Sequence, residues 1–332
     1  MFGWMDGYLQ DTSMKVAIVG AGIAGLACAD RLAAHGCAVR LFDKGRGFGG
    51  RMSTRRMETP LGDAYFDHGA QYFTARDLRF RKLVEQWQSH GLVAPWPAAG
   101  SDALVGVPGM NAVVRHMARA HDAQVGTTVK AIERVDGYWY VRSDRDRDGP
   151  FDTIVLAVPA EQAAPLLSLH DFAMGRAALR RHSMPCWTAM LAFDRPLPVA
   201  DDVLRGDGIV QWAARNNAKP GRTGPESWVV QASADWSAQT CEEEPANILP
   251  RLVSAFEEQF DLSLPEPLAA AAHRWRFARA PGTGDEILWN RDRQLGACGD
   301  WLIGPRVECA WLSGHLLGDA IAASVSVALQ AR

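Results

Sequence analysis

The sequence lacks the features that mark several large classes of protein. None of its apolar runs is long enough to span a bilayer, so we predict no membrane-spanning helix. It has no excess of basic residues: the formal net charge is −3, which argues against a surface that binds nucleic acid. No internal repeat is visible, which argues against a solenoid or propeller.

Paired cysteines and targeting signals are also missing. The six cysteines are scattered, with no C-x-x-C pair and no zinc spacing, so we predict reduced thiols and no metal site. Residues 1–13 have neither the basic start nor the apolar stretch of a secretory signal. We expect these residues to be a disordered extension and the protein to be cytoplasmic.

What the chain does contain is the composition of a globular protein with two domains. Hydrophobic residues make up 48% and charged residues 22% of the sequence. A length of 332 residues exceeds what a single hydrophobic core usually supports. We therefore expect two domains.

A glycine-rich turn near the start of the chain predicts a dinucleotide site. The apolar run 15–19 leads into G-x-G-x-x-G, formed by Gly20, Gly22 and Gly25, and a helix-length run of alanine and leucine follows. A second apolar run, 38–42, ends in Asp43. Gly20 permits the tight turn, Gly22 lets the backbone approach a pyrophosphate, and Gly25 lets the helix pack on the strand. The acid can bind a ribose.

Two further segments fit a bound cofactor. Residues 44–52 contain four glycines together with Arg46 and Arg51, and such a loop can wrap a pyrophosphate, although it is also typical of an ordinary surface loop. Residues 67–76 place small residues beside Gln71 and Tyr72. That pattern allows a backbone to run close to a flat ring, but a half-buried strand would look similar.

The middle of the chain predicts elements that continue an α/β domain. Residues 77–90 have the apolar spacing of a helix, with Asp77 as its cap. Asp136-Gly137 joins two alternating runs, which is a strong hairpin signal. Residues 143–149 are predicted to form a charged turn, and the apolar run 151–158 a strand buried in a parallel sheet.

From about residue 160 to 290 the pattern changes. Strand-like runs alternate with proline-containing turns around one amphipathic helix, which favours a mixed or antiparallel sheet with helices. Tryptophans are frequent there and can stack on a flat substrate, although each one is also typical of a core. The substrate-positioning candidates of the whole chain are Gln71, Tyr72, Trp212, His273 and Trp275.

Taken together, these motifs resemble the flavin-containing amine oxidase superfamily, and within it the bacterial renalase type. The resemblance rests on G-x-G-x-x-G, D-K and G-G-R-M, on GAQYFTAR, ARN-x-x-KP and AHRW, and on CGDW followed by VE-x-AWLSG. It covers nearly the whole chain from Met14. Pro305 replaces a glycine of the last motif.

The resemblance implies a division of the chain and a set of cofactor contacts. A discontinuous Rossmann-type FAD-binding domain would comprise residues 14–75, 102–160 and 285–332. A substrate domain of α+β type would comprise 76–101 and 161–284. FAD would be bound without a covalent link, although Cys309 stands where the familiar pattern has glycine. The implied contacts are Gly20, Gly22, Ile23, Ala24, Gly25, Asp43, Lys44, Gly50, Arg51, Gly69, Ala70, Gln71, Tyr72, Val129, Gly299, Asp300, Arg306, Val307 and Glu308.

The resemblance also implies an activity. The protein would oxidise 2- or 6-dihydro isomers of NAD(P)H to NAD(P)+, with molecular oxygen as the acceptor and H2O2 as the second product. No catalytic base is implied, because a dihydronicotinamide carries its hydride on carbon. An amine or amino-acid oxidase of the same fold stays open, as does a flavin-binding protein without turnover.

Overall fold

The computed structural model describes residues 13–144, 146–180 and 182–330. Apart from Ser13, the predicted extension 1–13 lies outside the described residues. Within them the chain forms strands β1 (Lys15–Val19), β2 (Ala38–Phe42), β3 (Arg55–Thr59), β4 (Gly62–Phe66), β5 (Val93–Pro95), β6 (Leu104–Gly106), β7 (Asp122–Gln124), β8 (Val129–Val135), β9 (Tyr138–Ser143), β10 (Arg147–Phe151), β11 (Thr153–Leu156), β12 (Met184–Phe193), β13 (Val203–Arg205), β14 (Val210–Arg215), β15 (Glu226–Ala232), β16 (Ala269–Arg279), β17 (Leu288–Asn290) and β18 (Leu295–Ala297). The helices are α1 (Ile23–Ala34), α2 (Leu78–Ser89), α3 (Ala112–Ala118), α4 (Ala160–Ser168), α5 (Phe172–Ala178), α6 (Ala234–Gln239), α7 (Pro245–Phe260), α8 (Asp300–Ile303) and α9 (Val307–Gln330).

A six-stranded sheet in the order β17-β18-β11-β1-β2-β7 forms the first half of the fold. Its neighbours pair in parallel except for β17 and β18, which are antiparallel. Side chains of β1 alternate between two cores, as the pleat of a strand requires: Val16 and Ile18 face α1 and α9, while Ala17 and Val19 face the opposite layer. The sheet therefore has both faces covered, as expected for parallel strands.

Local signals in the sequence are confirmed in this half. Asp77 caps α2 by accepting hydrogen bonds from the backbone N–H groups of Arg79 and Phe80. The turn at Asp136-Gly137 joins β8 to β9, and both of its residues have positive φ, at 50° and 86°. Helix α2 packs into the same core as α1, through residues 80, 84 and 87. The assignment of residues 76–101 to a domain stays a prediction.

One local prediction is wrong. Residues 147–149 of the predicted charged turn 143–149, and Phe151 of the predicted parallel strand, belong to strand β10, which pairs antiparallel with β9. Charged residues obscured the strand: Arg147 is exposed, and Asp148 pairs with Arg40. Arg147 stacks 3.6 Å above the ring of Tyr140 and binds Glu133.

A five-stranded antiparallel sheet, in the order β13-β14-β15-β12-β16, forms the second half. Helix α7 packs on one face, where Trp187 and Trp228 are fully buried beside Phe256. The predicted mixed or antiparallel sheet with helices is confirmed. The opposite face contributes to a large cavity.

The six cysteines are unpaired, and Cys28, Cys186, Cys298 and Cys309 are buried. Burial raises the pKa of Cys298 to about 12, so this thiol stays protonated. In the described part of the chain, no helix is both long and apolar enough to cross a membrane.

Candidate cofactor and active site

A cavity of about 2570 Å³ reaches from the glycine turn after β1 to the open face of the five-stranded sheet. Pockets for drug-sized ligands usually measure roughly 300–1,000 Å³. The cavity is therefore large enough for a dinucleotide together with a second molecule.

The three glycines of the turn have three different roles. Gly20 has a φ of +105°, which disfavours other residues. A Cβ on Gly25 would lie 2.0 Å from the carbonyl oxygen of Gly20, so this glycine is needed for the close packing of α1 on the turn. A Cβ on Gly22 would meet no atom within 4 Å, because Gly22 borders the cavity.

Asp43 holds two loops beside the cavity. One carboxylate oxygen accepts a hydrogen bond from the N–H of Ala21, and the other from the N–H of Gly45, both at 2.7 Å. The remaining lone pairs can accept bonds from ribose hydroxyl groups. Its position after β2 matches the acid predicted from the sequence.

Arg51 and Asp300 join segments that lie far apart in the sequence. The guanidinium donates to both carboxylate oxygens, at 2.7 and 2.6 Å, in a bidentate pair. Arg51 also donates to the carbonyl of Ala278 at 3.2 Å. Two residues predicted to contact the cofactor separately are thus paired with each other at the cavity wall.

A buried ionic cluster supports the strip 67–72 of the cavity wall. The Asp67 carboxylate contacts Arg222 at 2.5 Å and Lys219 at 3.3 Å, and the three side chains are almost completely buried. Burial alone would raise the pKa of Asp67, but the two cations hold it at about 2. Burial lowers the pKa of Lys219 to about 8. Lys219 also donates to Oε1 of Gln71 at 3.2 Å, which fixes a residue that lines the cavity.

Three rings form another part of the wall. The ring centroids of His68 and His273 are 4.9 Å apart, and Trp275 lies 5.0 Å from the first and 4.5 Å from the second. The indole N–H of Trp275 donates to the carbonyl of His68 at 2.8 Å. Burial lowers the pKa of His68 to about 4 and also lowers the pKa of His273, so both imidazoles are neutral at pH 7.

A second aromatic group lies beside the edge strand β13. The rings of Tyr72 and Trp212 are 5.6 Å apart with an interplanar angle of 34°. The guanidinium of Arg205 lies 4.8 Å from the centre of the indole of Trp212. This part of the wall offers flat surfaces to a planar ligand.

The structure brings most of the predicted site residues together. The following ones line the cavity: Gly20, Gly22, Ile23, Ala24, Asp43, Lys44, Gly50, Arg51, Gly69, Ala70, Gln71, Tyr72, Val129, Trp212, His273, Trp275, Gly299, Asp300, Arg306 and Val307. Their roles in binding stay predictions.

Two predicted contacts, Gly25 and Glu308, are not among the lining residues. Gly25 acts through the packing of α1. The Glu308 carboxylate accepts hydrogen bonds from the N–H groups of Arg76 and Asp77 at 2.5 and 2.6 Å, next to the start of α2. A direct contact of Glu308 with the cofactor is therefore not supported by its position.

Sequence reasoning missed His68, Gln231 and Arg205, which also line the cavity. Gln231 lies in a strand whose residues are all buried, and nothing in the sequence sets it apart. Arg205 belongs to a strand of only three residues. His68 lies within the segment 67–76 that was predicted to run close to a flat ring, and that neighbourhood was the one available signal.

The residues present fit FAD. Gly22, at the start of α1, makes no side-chain cap, so the first N–H groups of the helix are available to an anion, and Ile23 and Ala24 line the cavity. Space next to Gly22 and Gly50, where a Cβ would meet no atom within 4 Å, lets phosphates approach the backbone. Asp43 can hold the ribose. The arrangement suits the adenosine diphosphate half of the cofactor.

Comparisons with known proteins agree with this fit. Residues 18–87 match the NAD(P)-binding Rossmann-like domain, and residues 89–287 match the family described as flavin containing amine oxidoreductase. The second match alone covers more than half of the chain.

Similar solved structures share the fold. Cyclohexylamine oxidase from Brevibacterium oxydans IH-35A is 14% identical, with a TM-score of 0.70 over 95% of this chain and 100% of that chain. Putrescine oxidase bound to putrescine is 14% identical, with a TM-score of 0.67 over 94% and 99%. An oxidoreductase from Methanosarcina mazei is 15% identical, with a TM-score of 0.58 over 92% and 100%.

The glycine turn, the acid after β2 and the family matches lead to one conclusion. The chain belongs to the flavin containing amine oxidoreductase family, and it is an FAD-dependent oxidoreductase.

Proposed function

We propose that the protein is a renalase-like oxidase, which converts 2- or 6-dihydro isomers of NAD(P)H to NAD(P)+ with O2 as the acceptor and H2O2 as the second product. The observation that carries this proposal is the charge of the cavity. Twelve basic residues line it against three acidic ones, although the whole chain has a net charge of −3. The basic residues are Lys44, Arg46, Arg51, Arg55, Arg76, Arg115, Lys130, Arg205, Arg274, Arg276, Arg279 and Arg306.

Internal ion pairs offset only part of this charge. Arg51 is paired with Asp300, Arg276 with the exposed Glu242, and Arg306 with Glu308. Among the described residues, no hydrogen bond or ion pair engages the guanidinium of Arg55 or of Arg279. The FAD diphosphate accounts for two negative charges, so the remaining excess favours a second anion.

A dihydronicotinamide dinucleotide is such an anion, because it carries its own diphosphate. A protonated amine has the opposite charge and would be repelled by the same cavity. The basic excess of the cavity thus favours an anionic dinucleotide over a protonated amine as the substrate.

When bound, FAD supplies an acceptor for the hydride of the substrate carbon and passes the electrons to oxygen. The rings of Tyr72, Trp212 and Trp275 line the cavity and would provide flat surfaces that orient the substrate ring. His68 and His273 are neutral at pH 7, and hydride donation from carbon requires no proton acceptor.

An amine oxidase is the second candidate. The Tyr72–Trp212 pair has the apolar, aromatic character that suits a neutral amine, and the similar solved structures include amine oxidases. The basic excess counts against the protonated form of such a substrate.

Anaerobic reduction of the bound flavin separates the two candidates. The holoenzyme is mixed with 2-, 4- and 6-dihydro-NAD(P), cyclohexylamine or putrescine, and loss of the oxidised flavin absorbance is followed. We expect the 2- or 6-dihydro isomers to bleach the flavin far faster than 4-dihydro-NAD(P)H or either amine. Equal or faster bleaching by an amine would contradict the proposal.

A matched pair of arginines tests the role of charge. Arg55 lines the cavity, whereas its neighbour Arg56 does not, and Arg56 pairs with Glu58 and Asp63. Arg55→Gln should raise the KM for the dinucleotide about three- to tenfold, since a charged contact is lost. Arg56→Gln should leave the KM unchanged. Equal effects of the two substitutions would contradict a local role for Arg55.

Two finer features belong to the same proposal. We expect FAD to be bound without a covalent link, because burial raises the pKa of the Cys309 thiol and this residue is not among those lining the cavity. A cytoplasmic location stays a prediction from the unpaired cysteines.

A further inference from the structure

One row of residues crosses the whole five-stranded sheet. The pairing register places Arg205 opposite Trp212, Trp212 opposite Gln231, Gln231 opposite Thr188, and Thr188 opposite His273. Directly paired residues share one face of a sheet. Four of the five line the cavity, and Thr188 is completely buried.

Gln231, in the middle of this row, has a fixed amide. Its Nε2 donates to the carbonyl oxygen of Gly69 at 2.8 Å, so the nitrogen and oxygen of the amide cannot be exchanged without losing that bond. Gly69 is itself held in place, because even a Cβ there would lie 2.1 Å from the carbonyl oxygen of Arg51. The Gln231 side chain therefore has one defined orientation.

That orientation leaves Oε1 of Gln231 as an unused acceptor. Within the described part of the chain, this oxygen has no hydrogen-bond partner. It is absent from the polar atoms that lack both a partner and solvent access, so a ligand or water can reach it. The residue is only 6% exposed, yet it lines the cavity. A buried amide oxygen without a partner is costly unless a ligand or water donates to it.

The surroundings of this oxygen specify the donor. Trp212, the neighbour of Gln231 on the row, and Tyr72, whose ring lies 5.6 Å from that of Trp212, provide flat surfaces for a planar heterocycle. A neutral amide oxygen accepts from an N–H group and repels a carboxylate. An aromatic ring that carries a carboxamide meets both requirements.

We propose that Gln231 Oε1 accepts a hydrogen bond from the carboxamide N–H of the substrate nicotinamide, and so selects amide over acid forms of the dinucleotide. This inference rests on the proposed function and deepens it. The bond also sets the rotation of the ring in its plane, which determines the carbon that faces the cofactor. Gln231 is a specificity-determining residue in this account.

Binding of the oxidised product tests the proposal without turnover. The holoenzyme is titrated with NAD+ and with its nicotinic acid analogue, and the perturbation of the flavin absorbance gives each Kd. We expect the wild type to bind NAD+ about tenfold more tightly than the acid analogue. Gln231→Met, which keeps the volume but removes the acceptor, should weaken NAD+ binding about tenfold and abolish the preference. Gln239→Met on the exposed part of α6 is the control and should change neither Kd.

The outcomes distinguish this inference from the function on which it rests. If the wild type binds both dinucleotides equally, or if Gln231→Met keeps the preference for NAD+, the inference is overturned while the dinucleotide substrate stands. If neither dinucleotide binds, the inference fails, and anaerobic bleaching of the flavin by the dihydro isomers decides whether the proposed function fails as well. The preference of the wild type needs no variant, so the proposal can be refuted even if Gln231→Met does not fold.

Discussion

Gly22 and Gly25 lie three residues apart in one motif, but the structure predicts opposite consequences of replacing them by alanine. Gly22 has an extended backbone, with φ of −76° and ψ of 178°, which alanine adopts without strain. Its added Cβ would meet no atom within 4 Å. The Cβ of an alanine at position 25 would lie 2.0 Å from the oxygen of Gly20 and 3.2 Å from the Cβ of Ala157.

These distances determine the expected magnitudes. Gly22→Ala should change the free energy of unfolding of the FAD-free protein by less than about 1 kcal/mol, because the lower entropy of the unfolded chain offsets the weaker helix cap. Gly25→Ala forces a backbone shift, and overpacking of this kind costs about 1–3 kcal/mol. The Cβ at position 22 occupies the space next to the backbone that a phosphate would need. We therefore expect Gly22→Ala to raise the Kd for FAD at least about tenfold.

Two measurements on the same preparations check this prediction. Urea unfolding of the FAD-free protein gives the stability, and quenching of flavin fluorescence on titration gives the Kd. If Gly22→Ala binds FAD as tightly as the wild type, the phosphates do not approach this turn. If it destabilises the FAD-free protein as much as Gly25→Ala does, the role of Gly22 is structural, and the assignment of the cavity wall is wrong.

Two further predictions concern stability. The pKa of His68 lies at about 4 in the folded protein against an ordinary 6.5, so the unfolded chain binds a proton first as the pH falls. The free energy of unfolding should therefore fall by up to about 3 kcal/mol as the pH decreases from 6.5 to 4. In His68→Leu this pH dependence should be weaker, which urea unfolding midpoints measured across the same range would show. If His68→Leu keeps the pH dependence of the wild type, the lowered pKa of His68 is refuted. Asp67→Asn leaves Lys219 and Arg222 buried without their shared carboxylate and should cost about 3–5 kcal/mol in urea unfolding at pH 7, whereas a loss below about 1 kcal/mol would contradict the cluster.

The parts of the fold that sequence reasoning predicted are those governed by local rules. The glycine turn, the Asp77 cap and the Asp136-Gly137 hairpin each depend on backbone conformations that few residue types adopt. Strand β10 was missed because it begins with the charged residues Arg147 and Asp148 and its strand character comes from pairing with β9.

The site was harder to predict where it depends on register. The row from Arg205 to His273 exists only once five strands are aligned, and a shift of one residue in any strand would turn its members to the other face. Gln231 is an ordinary residue in the sequence, and Lys219 stands out only as part of the ARN-x-x-KP segment. Both acquire their roles from partners more than 140 positions away. The position of Glu308 near α2 has the same cause: its partners lie 231 and 232 residues earlier in the chain.

The position of β18 in the first sheet and of α9 against α1 has a consequence for biosynthesis. β18 pairs with β11, and α9 packs so closely on α1 that a Cβ on Gly314 would lie 1.9 Å from the carbonyl of Ala24. A chain still emerging from the ribosome therefore has the glycine turn long before it has the helix and strand that support it. The nascent protein must keep that apolar surface soluble until β18 and α9 have been synthesised, so we expect it to need protection from aggregation up to that point.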